Sequence, residues 1–226
     1  MDYRHELKFL VSDADLALLR ARICHIAMPD RHQPSESGYL ITSLYFDNNQ
    51  DQCAMETISG YDYRNKYRIR IYGHSDKLIK LERKSKTHGM TAKKSVPISR
   101  DECVAMMKGQ IPKLSNDYST EKNKILCEMK LSGMRPKCVV QYQRQAFVYD
   151  VGNVRITFDQ NITASKDADA FLNERLNMVP LLKTGVHILE VKYDNLLPKY
   201  ISDALEIEKL LQTSYSKYVY ARNTLG

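Results

Sequence analysis

Seven stretches of the chain alternate polar and apolar residues and are enriched in Val, Ile, Tyr and Phe. Alternation of this kind is typical of β-strands with one buried face. The predicted strands are residues 3–9, 40–46, 67–72, 78–84, 139–149, 154–159 and 187–193. Short polar and glycine-containing segments at 73–76 and 150–153 join two consecutive pairs, which indicates antiparallel hairpins.

Helical patterns are fewer, and polar capping residues precede two of them. They predict helices over residues 12–27, 99–107 and 119–131, and a further helix that begins at Ser202. No repeat, low-complexity segment or linker divides the sequence. We therefore predict an α+β fold in a single domain over residues 1–226, with mostly antiparallel strands and helices packed outside them.

Composition narrows the class of protein. With 43% hydrophobic and 27% charged residues, the chain is neither disordered nor fibrous. None of its apolar runs approaches the roughly 18 residues that a membrane helix needs, so no membrane segment is expected. Five widely spaced cysteines without a Cys-x-x-Cys pair argue against a disulfide scaffold or a zinc knuckle, and favour reduced thiols in the cytoplasm.

The net charge indicates an anionic partner. Lys and Arg number 34 against 27 Asp and Glu, which gives a formal charge of +7. These cations are spread along the chain and do not form the contiguous basic block of a DNA-binding tail. No nucleic acid partner is therefore expected, and the face on which the cations lie becomes the informative property.

Successive strand residues point to opposite sides, so odd and even positions separate each predicted strand into two faces. On five strands one face is apolar and the other carries Arg and Lys, on four of the five together with one Glu or Asp. The charged faces hold Arg4, Glu6 and Lys8; Arg68 and Arg70; Lys80, Glu82 and Lys84; Arg155 and Asp159; and Glu190 and Lys192. A half-solvated sheet would also have a polar face, but with more Ser, Thr, Asn and Gln.

Closure of these strands into a barrel would place the charged faces on the inside and the apolar faces under the helices. Several unpaired like charges in one enclosed space cost several kcal/mol each in desolvation. A chain of phosphates would supply the missing negative charge and accept paired hydrogen bonds from Arg along its length. The minority carboxylates would then suit Mg²⁺ or Mn²⁺, which prefer oxygen ligands.

Eight segments, in order along most of the chain, resemble the triphosphate tunnel metalloenzyme superfamily and in particular its polyphosphate polymerase branch, the VTC domain. They are RHELKF (4–9), SLYFD (43–47), YRIRIYG (67–73), LERK (81–84), YQRQAF (142–147), VRITFD (154–159), LEVKY (189–193) and SYSKY (214–218). The resemblance implies an eight-stranded antiparallel β-barrel that forms a basic tunnel. It also implies an activity, transfer of the terminal phosphate of ATP to a polyphosphate chain with Mn²⁺ or Mg²⁺.

Carried over by position, the resemblance implies eight phosphate-binding cations. They are Lys8, Arg68, Arg70, Lys84, Arg144, Arg155, Lys192 and Lys217. Five of these, Arg68, Arg70, Lys84, Arg144 and Arg155, would act catalytically by stabilising charge, and Glu190 would bind the metal. The carboxylates of Glu6, Glu82 and Asp159 are weaker metal candidates, and Arg64, Lys66, Lys93 and Lys94 lie near basic positions of the family without a defined register.

One departure bears on the reaction. The triphosphatase branch begins with two metal-binding glutamates, and Arg4 occupies the first of those positions here. This favours the polymerase, with ATP and polyphosphate as partners. A tripolyphosphatase or nucleoside triphosphatase that acts on inorganic triphosphate, and a non-catalytic module that binds polyphosphate or RNA, stay open as alternatives.

Overall fold

A computed structural model describes residues 3–173 and 175–226 of the protein and contains one large sheet with helices around it. The strands are β1 (His5–Ser12), β2 (Met28–Pro29), β3 (Tyr39–Asp47), β4 (Arg64–Tyr72), β5 (Ser75–Thr87), β6 (Met90–Pro97), β7 (Arg135–Tyr149), β8 (Val154–Ser165), β9 (Val179–Pro180), β10 (Val186–Tyr193) and β11 (Leu211–Gln212). The helices are α1 (Asp13–Ile23), α2 (Gln52–Ile58), α3 (Arg100–Met107), α4 (Glu121–Leu131), α5 (Lys199–Ala204) and α6 (Lys217–Leu225). Every neighbouring pair of strands is antiparallel, which confirms the α+β prediction.

The sheet curls until its two ends meet. Its order is β11-β1-β10-β8-β7-β3-β4-β5-β6, with β2 paired to β7 and β9 to β8. At the open side, the backbones of Arg4 and Thr91 exchange two hydrogen bonds of 2.9 and 3.0 Å. One bridge is not a ladder, so the eight long strands enclose a space without forming the fully closed barrel that the sequence predicted.

Two apolar clusters lie between the sheet and the helices. Leu44, Ile69 and Leu81 on the outer faces of β3, β4 and β5 belong to the first, together with side chains of α3 and α4. The second joins β1, β8 and β10 to α1 and α5, and includes Phe9 and Ile156. Burial of both clusters on the outside leaves the charged faces of the strands turned towards the enclosed space.

The capping residues locate two helices as predicted. Ser12 and Ser99 form capping boxes at the starts of α1 and α3, although α1 ends at Ile23, four residues before its predicted end. The prediction of a helix that begins at Ser202 is wrong. Helix α5 begins at Lys199 and ends at Ala204, and the left-handed backbone of Glu206 prevents its continuation. Ile207 and Leu210 beyond it pack against the second cluster from a short 3-10 helix and the residue that follows it.

Six elements were not predicted: the two-residue strands β2, β9 and β11, and the longer elements β6, α2 and α6. The causes of α2 and β6 are long-range. The buried carboxylate of Asp47 accepts hydrogen bonds from the backbone amides of Cys53 and Ala54, so α2 is capped by the preceding strand. Strand β6 alternates weakly in sequence and forms by pairing with β5 along its whole length. None of the helices in the described part of the chain is long and apolar enough to cross a membrane.

Candidate functional site

The eight long strands and the start of α6 surround a cavity of about 1130 Å³. Thirteen of its described lining residues are Lys or Arg, and three are Asp or Glu. The charged lining positions alternate along β1, β4 and β10, as in Lys66, Arg68 and Arg70 of β4. Alternation therefore placed the charged faces correctly, since they meet on the inside of one enclosed space.

All nine residues assigned from the resemblance line this cavity. They are Lys8, Arg68, Arg70, Lys84, Arg144, Arg155, Glu190, Lys192 and Lys217. Among the cations without a defined register, Lys66 and Lys93 also line it. Lys94 pairs in register with Arg83, which faces outward and binds Glu121 of α4 at 3.2 Å. Arg64 lies beside a smaller surface pocket.

Glu82 is the fully buried centre of one ion-pair cluster. Its Oε2 accepts hydrogen bonds from Nε and Nη2 of Arg68, both at 2.7 Å, and lies 3.7 Å from Nε of Arg70. Its Oε1 lies 3.0 Å from the ammonium of Lys93. Burial alone would raise the pKa of Glu82, but the guanidinium groups of Arg70 and Arg68 hold it far below its usual range.

Glu6 is surrounded by three lysines from three strands. Its carboxylate lies 2.6 Å from the ammonium of Lys84, 3.1 Å from that of Lys8 and 3.8 Å from that of Lys192. Burial acts to raise the pKa of Glu6, and Lys84 contributes most to lowering it to about 2. One carboxylate therefore balances part of the charge of three ammonium groups.

A third cluster holds two further inward carboxylates, Asp159 and Glu190. Arg144 donates to both oxygens of Asp159, from Nε at 2.6 Å and from Nη2 at 2.7 Å, and Lys217 of α6 lies 2.6 Å from Asp159. Glu190 receives longer contacts, 3.2 Å from Arg144 and 3.1 Å from Lys192. Although burial opposes ionisation, these cations hold the pKa of Glu190 well below its usual value.

Burial, together with the excess of positive charge, lowers the pKa of two lysines of the cavity. Burial, reinforced by the neighbouring Lys8 and Lys84, lowers the pKa of Lys66 to about 7. The Lys66 ammonium donates to the hydroxyl of Ser216 at 3.0 Å. Burial also lowers the pKa of Lys84 to about 7, despite its contact with Glu6. An anion in the cavity would relieve this repulsion and stabilise the charged forms.

The segment at the start of α6 contacts three walls of the cavity. The ammonium of Lys8 donates to the carbonyl oxygen of Tyr215 at 3.0 Å, and Lys217 meets Asp159. The Tyr218 hydroxyl donates to Asp47 at 2.7 Å, and the same carboxylate caps α2. Asp47 thus holds α2 and α6 together and positions Lys217.

Tyrosines are the residues that sequence reasoning missed. Tyr45 and Tyr142 accept hydrogen bonds from Arg68 and Arg70 at 3.0 and 3.3 Å, and both line the cavity. The sequence analysis assigned no tyrosine to the site. Tyr142 lies two residues before Arg144 and therefore on the same face of β7, so the alternation along this strand could have placed Tyr142 in the cavity.

A divalent metal such as Mg²⁺ or Mn²⁺ would need carboxylate oxygens of the cavity as ligands. In the described part of the chain, no group of three or more His, Cys, Asp or Glu side chains is arranged to hold one. Both oxygens of Asp159 and of Glu82 contact cations at short distances. Both oxygens of Glu6 also contact the ammonium of Lys84, at 2.7 and 2.6 Å, and Asp30 is paired with Arg155. Glu190, with contacts of 3.1 Å to Lys192 and 3.2 Å to Arg144, is the least tightly paired of these carboxylates. It fits Mg²⁺ or Mn²⁺ in the manner of a site completed by substrate phosphates.

An antiparallel sheet of eight long strands curled around a cation-lined cavity defines a protein of the triphosphate tunnel class. Two solved structures share the fold at a TM-score of 0.51, both from candidate adenylate cyclases. The Bacillus halodurans protein is 14% identical, with 92% of this chain and 89% of that chain covered. The Vibrio parahaemolyticus protein is 11% identical, with 97% of each covered. At these identities the likeness shows the fold alone.

The capping-enzyme triphosphatase of Mimivirus also matches, at 11% identity over 92% of this chain and 88% of that chain, with a lower TM-score of 0.41. The model of the VTC domain family matches residues 3–225, so the chain belongs to that family. No curated protein sequence matches it. Membership of the family supports a function that involves polyphosphate or triphosphate.

Proposed function

We propose that the protein is an ATP-dependent polyphosphate polymerase, which transfers the terminal phosphate of ATP to a polyphosphate chain in the cation-lined cavity. The observation that carries the proposal is the excess of thirteen lining cations over three lining carboxylates in a member of the VTC family. A linear polyphosphate carries about one negative charge per phosphate, so it matches this excess along its length.

The arginines are suited to hold and orient the phosphates. Arg70 and Arg144 are only 6% exposed and reach the cavity from β4 and β7, which flank β3 in the sheet. Each is held by a carboxylate or hydroxyl, which keeps its guanidinium in one orientation before substrate arrives. Positioning of this kind, and charge stabilisation of the transferring group, make up most of what a protein contributes to phosphoryl transfer.

The proposed acceptor needs no general base. A terminal phosphate oxygen of polyphosphate is already ionised near neutral pH, so the protein has only to bring it in line with the donor. Lys84, Arg68 and Arg155 would offset the repulsion between the two anions as they approach. Lys8, Lys192 and Lys217 would hold the rest of the chain.

We assign the metal to Glu190, with Glu6 beside it and substrate phosphates as the other ligands. When bound, Mg²⁺ or Mn²⁺ would neutralise phosphate charge and polarise the transferring group. Both carboxylates are ionised at neutral pH, because neighbouring cations depress the pKa of each. Glu190→Gln keeps the shape of the side chain and should reduce metal-dependent turnover.

One incubation tests the reaction class. The protein with ATP and Mn²⁺ or Mg²⁺ should produce long polyphosphate on a gel, and a chelator should stop it. Release of free phosphate without polymer would contradict the polymerase and favour a tripolyphosphatase or nucleoside triphosphatase. Tight binding of polyphosphate without turnover would leave a binding module, and equally tight binding of RNA would favour the nucleic-acid alternative.

A matched pair of variants tests the site. Polyphosphate should raise the melting temperature of the folded protein by mass action. Arg70→Ala should shrink that rise, whereas Lys94→Ala removes a cation from the opposite side of the sheet and should leave it unchanged. An equal effect of the two substitutions would remove Arg70 from the proposed site.

A further inference from the structure

One end of the cavity is aromatic as well as charged. Strand β3 begins there with Tyr39, β4 ends there with Tyr72, and β5 follows after a short turn, so all three strands share this end. The rings of Tyr39 and Tyr72 lie 5.9 Å apart between centroids and are tilted by 52°. Both side chains are half-buried and line the cavity, and Leu78, 45% exposed, lines it beside them.

The segment of residues 30–38 completes this end, which we call the aromatic mouth (Tyr39, Tyr72, Leu78, His32 and Pro34). Gln143 and Gln145 of β7 donate to the carbonyl oxygens of Ser37 and Glu36 at 2.9 and 2.6 Å. Gly38 approaches β7 so closely that a Cβ there would lie 2.1 Å from the carbonyl oxygen of Arg144. The segment is therefore held against the sheet, and the mouth has a defined shape.

Arg155 and Lys80 connect the aromatic mouth to the cation-lined part of the cavity. The Tyr39 hydroxyl accepts a hydrogen bond from Nη2 of Arg155 at 3.2 Å, and the Lys80 ammonium lies 5.7 Å from the Tyr72 ring centroid. Arg70 and Arg68 follow Tyr72 inward on the same face of β4. Each two-residue step along a strand spans about 6.6 Å, so a triphosphate that begins beside Tyr72 meets the guanidinium of Arg70 first and extends towards that of Arg68.

We propose that the aromatic mouth binds the base of the nucleotide donor, so that Tyr72 and Tyr39 select a nucleoside triphosphate over an inorganic phosphate chain. The inference rests on the proposed function and names its donor class. A polyphosphate chain has no apolar part and gains nothing from two tyrosines and a leucine. A purine has a flat π-face of the size that stacks on Tyr, and its triphosphate continues into the basic part of the cavity.

The test separates the base from the phosphates. Affinities of the wild type and of Tyr72→Ala are measured calorimetrically, in the presence of Mg²⁺, for ATP, methyl triphosphate and inorganic tripolyphosphate. Methyl triphosphate has the charged chain of ATP without base or ribose. Loss of base stacking should weaken ATP binding by about 5- to 150-fold in Tyr72→Ala. The affinities for the two ligands without a base should change by less than about twofold, and Tyr72→Phe, which keeps the ring, should retain most of the ATP affinity.

Each other outcome overturns a distinct statement. Equal loss for all three ligands would mean that Tyr72 only shapes the wall, and no loss for ATP would mean that the base lies elsewhere. Either result overturns the inference and leaves the proposed function standing. A wild-type protein that binds none of the three ligands would overturn the proposed function, and the inference with it. Unchanged tripolyphosphate affinity also shows that the variant is folded.

Discussion

The buried carboxylate of Glu82 offers the sharpest test of the ionic balance in the cavity. Glu82 is 0% exposed, and its oxygens contact Arg68 twice at 2.7 Å and Lys93 at 3.0 Å. Glu82→Gln keeps the volume of the side chain and removes only its negative charge. Three cations, including Arg70 at 3.7 Å, then lose their shared counter-charge.

Removal of one partner from a buried ion pair costs about 3–5 kcal/mol, because the other charge is left unbalanced in a poorly solvated site. For a chain of this length, each kcal/mol lowers the melting temperature by about 2–4 °C. We therefore expect Glu82→Gln to melt about 6–20 °C below the wild type. Tripolyphosphate should recover more of the melting temperature in the variant than in the wild type, since it supplies the missing negative charge.

Scanning calorimetry without ligand and with tripolyphosphate measures both effects. Glu121→Gln is the matched control, because Glu121 binds Arg83 at 3.2 Å on the outer side of the same strand and is 29% exposed. Glu128 also pairs with Arg83, so the loss of Glu121 leaves that guanidinium a counter-charge and should cost about 1 kcal/mol or less. A Glu82→Gln protein that melts with the control variant would refute the view that buried carboxylates balance the cavity cations.

Two further predictions concern Lys66 in the cavity and Tyr218 of α6. Burial and neighbouring lysines lower the pKa of Lys66 from 10.5 to about 7. Between these pH values Lys66 carries a proton in the unfolded chain and is neutral in the folded protein. The free energy of unfolding therefore rises with pH across this range. In Lys66→Met, denaturant titrations from pH 7 to 10 should show a slope smaller by up to about 1.4 kcal/mol per pH unit, and an unchanged slope would contradict the assignment. Tyr218→Phe removes the hydrogen bond to buried Asp47 and should cost about 1.5–3 kcal/mol in thermal denaturation. Tyr220→Phe, on the exposed side of the same helix, should change stability by less than about 0.5 kcal/mol, and equal effects would refute the role of Asp47.

Local patterns predicted the strands well because alternation is written into the chain itself. Residues 67–72 place Arg68 and Arg70 on one face whatever the strand pairs with, and the structure turns that face inward. Capping residues served the same purpose for α1 and α3, where Ser12 and Ser99 bond to amides three residues away. By contrast, α2 is capped by a carboxylate from the preceding strand, and β6 depends on β5, so neither has a sufficient local signal.

The sequence by itself determined which side chains share a face, since successive strand residues point to opposite sides. Only the tertiary structure decided which cation meets which carboxylate. Lys84 and Glu6 lie 2.6 Å apart although 78 positions separate them along the chain, and α6 brings Lys217 to Asp159 at the same distance. Charge balance, lysine basicity and the aromatic mouth all follow from such contacts, because electrostatic energies depend on distance and burial, and the curling of the sheet sets both.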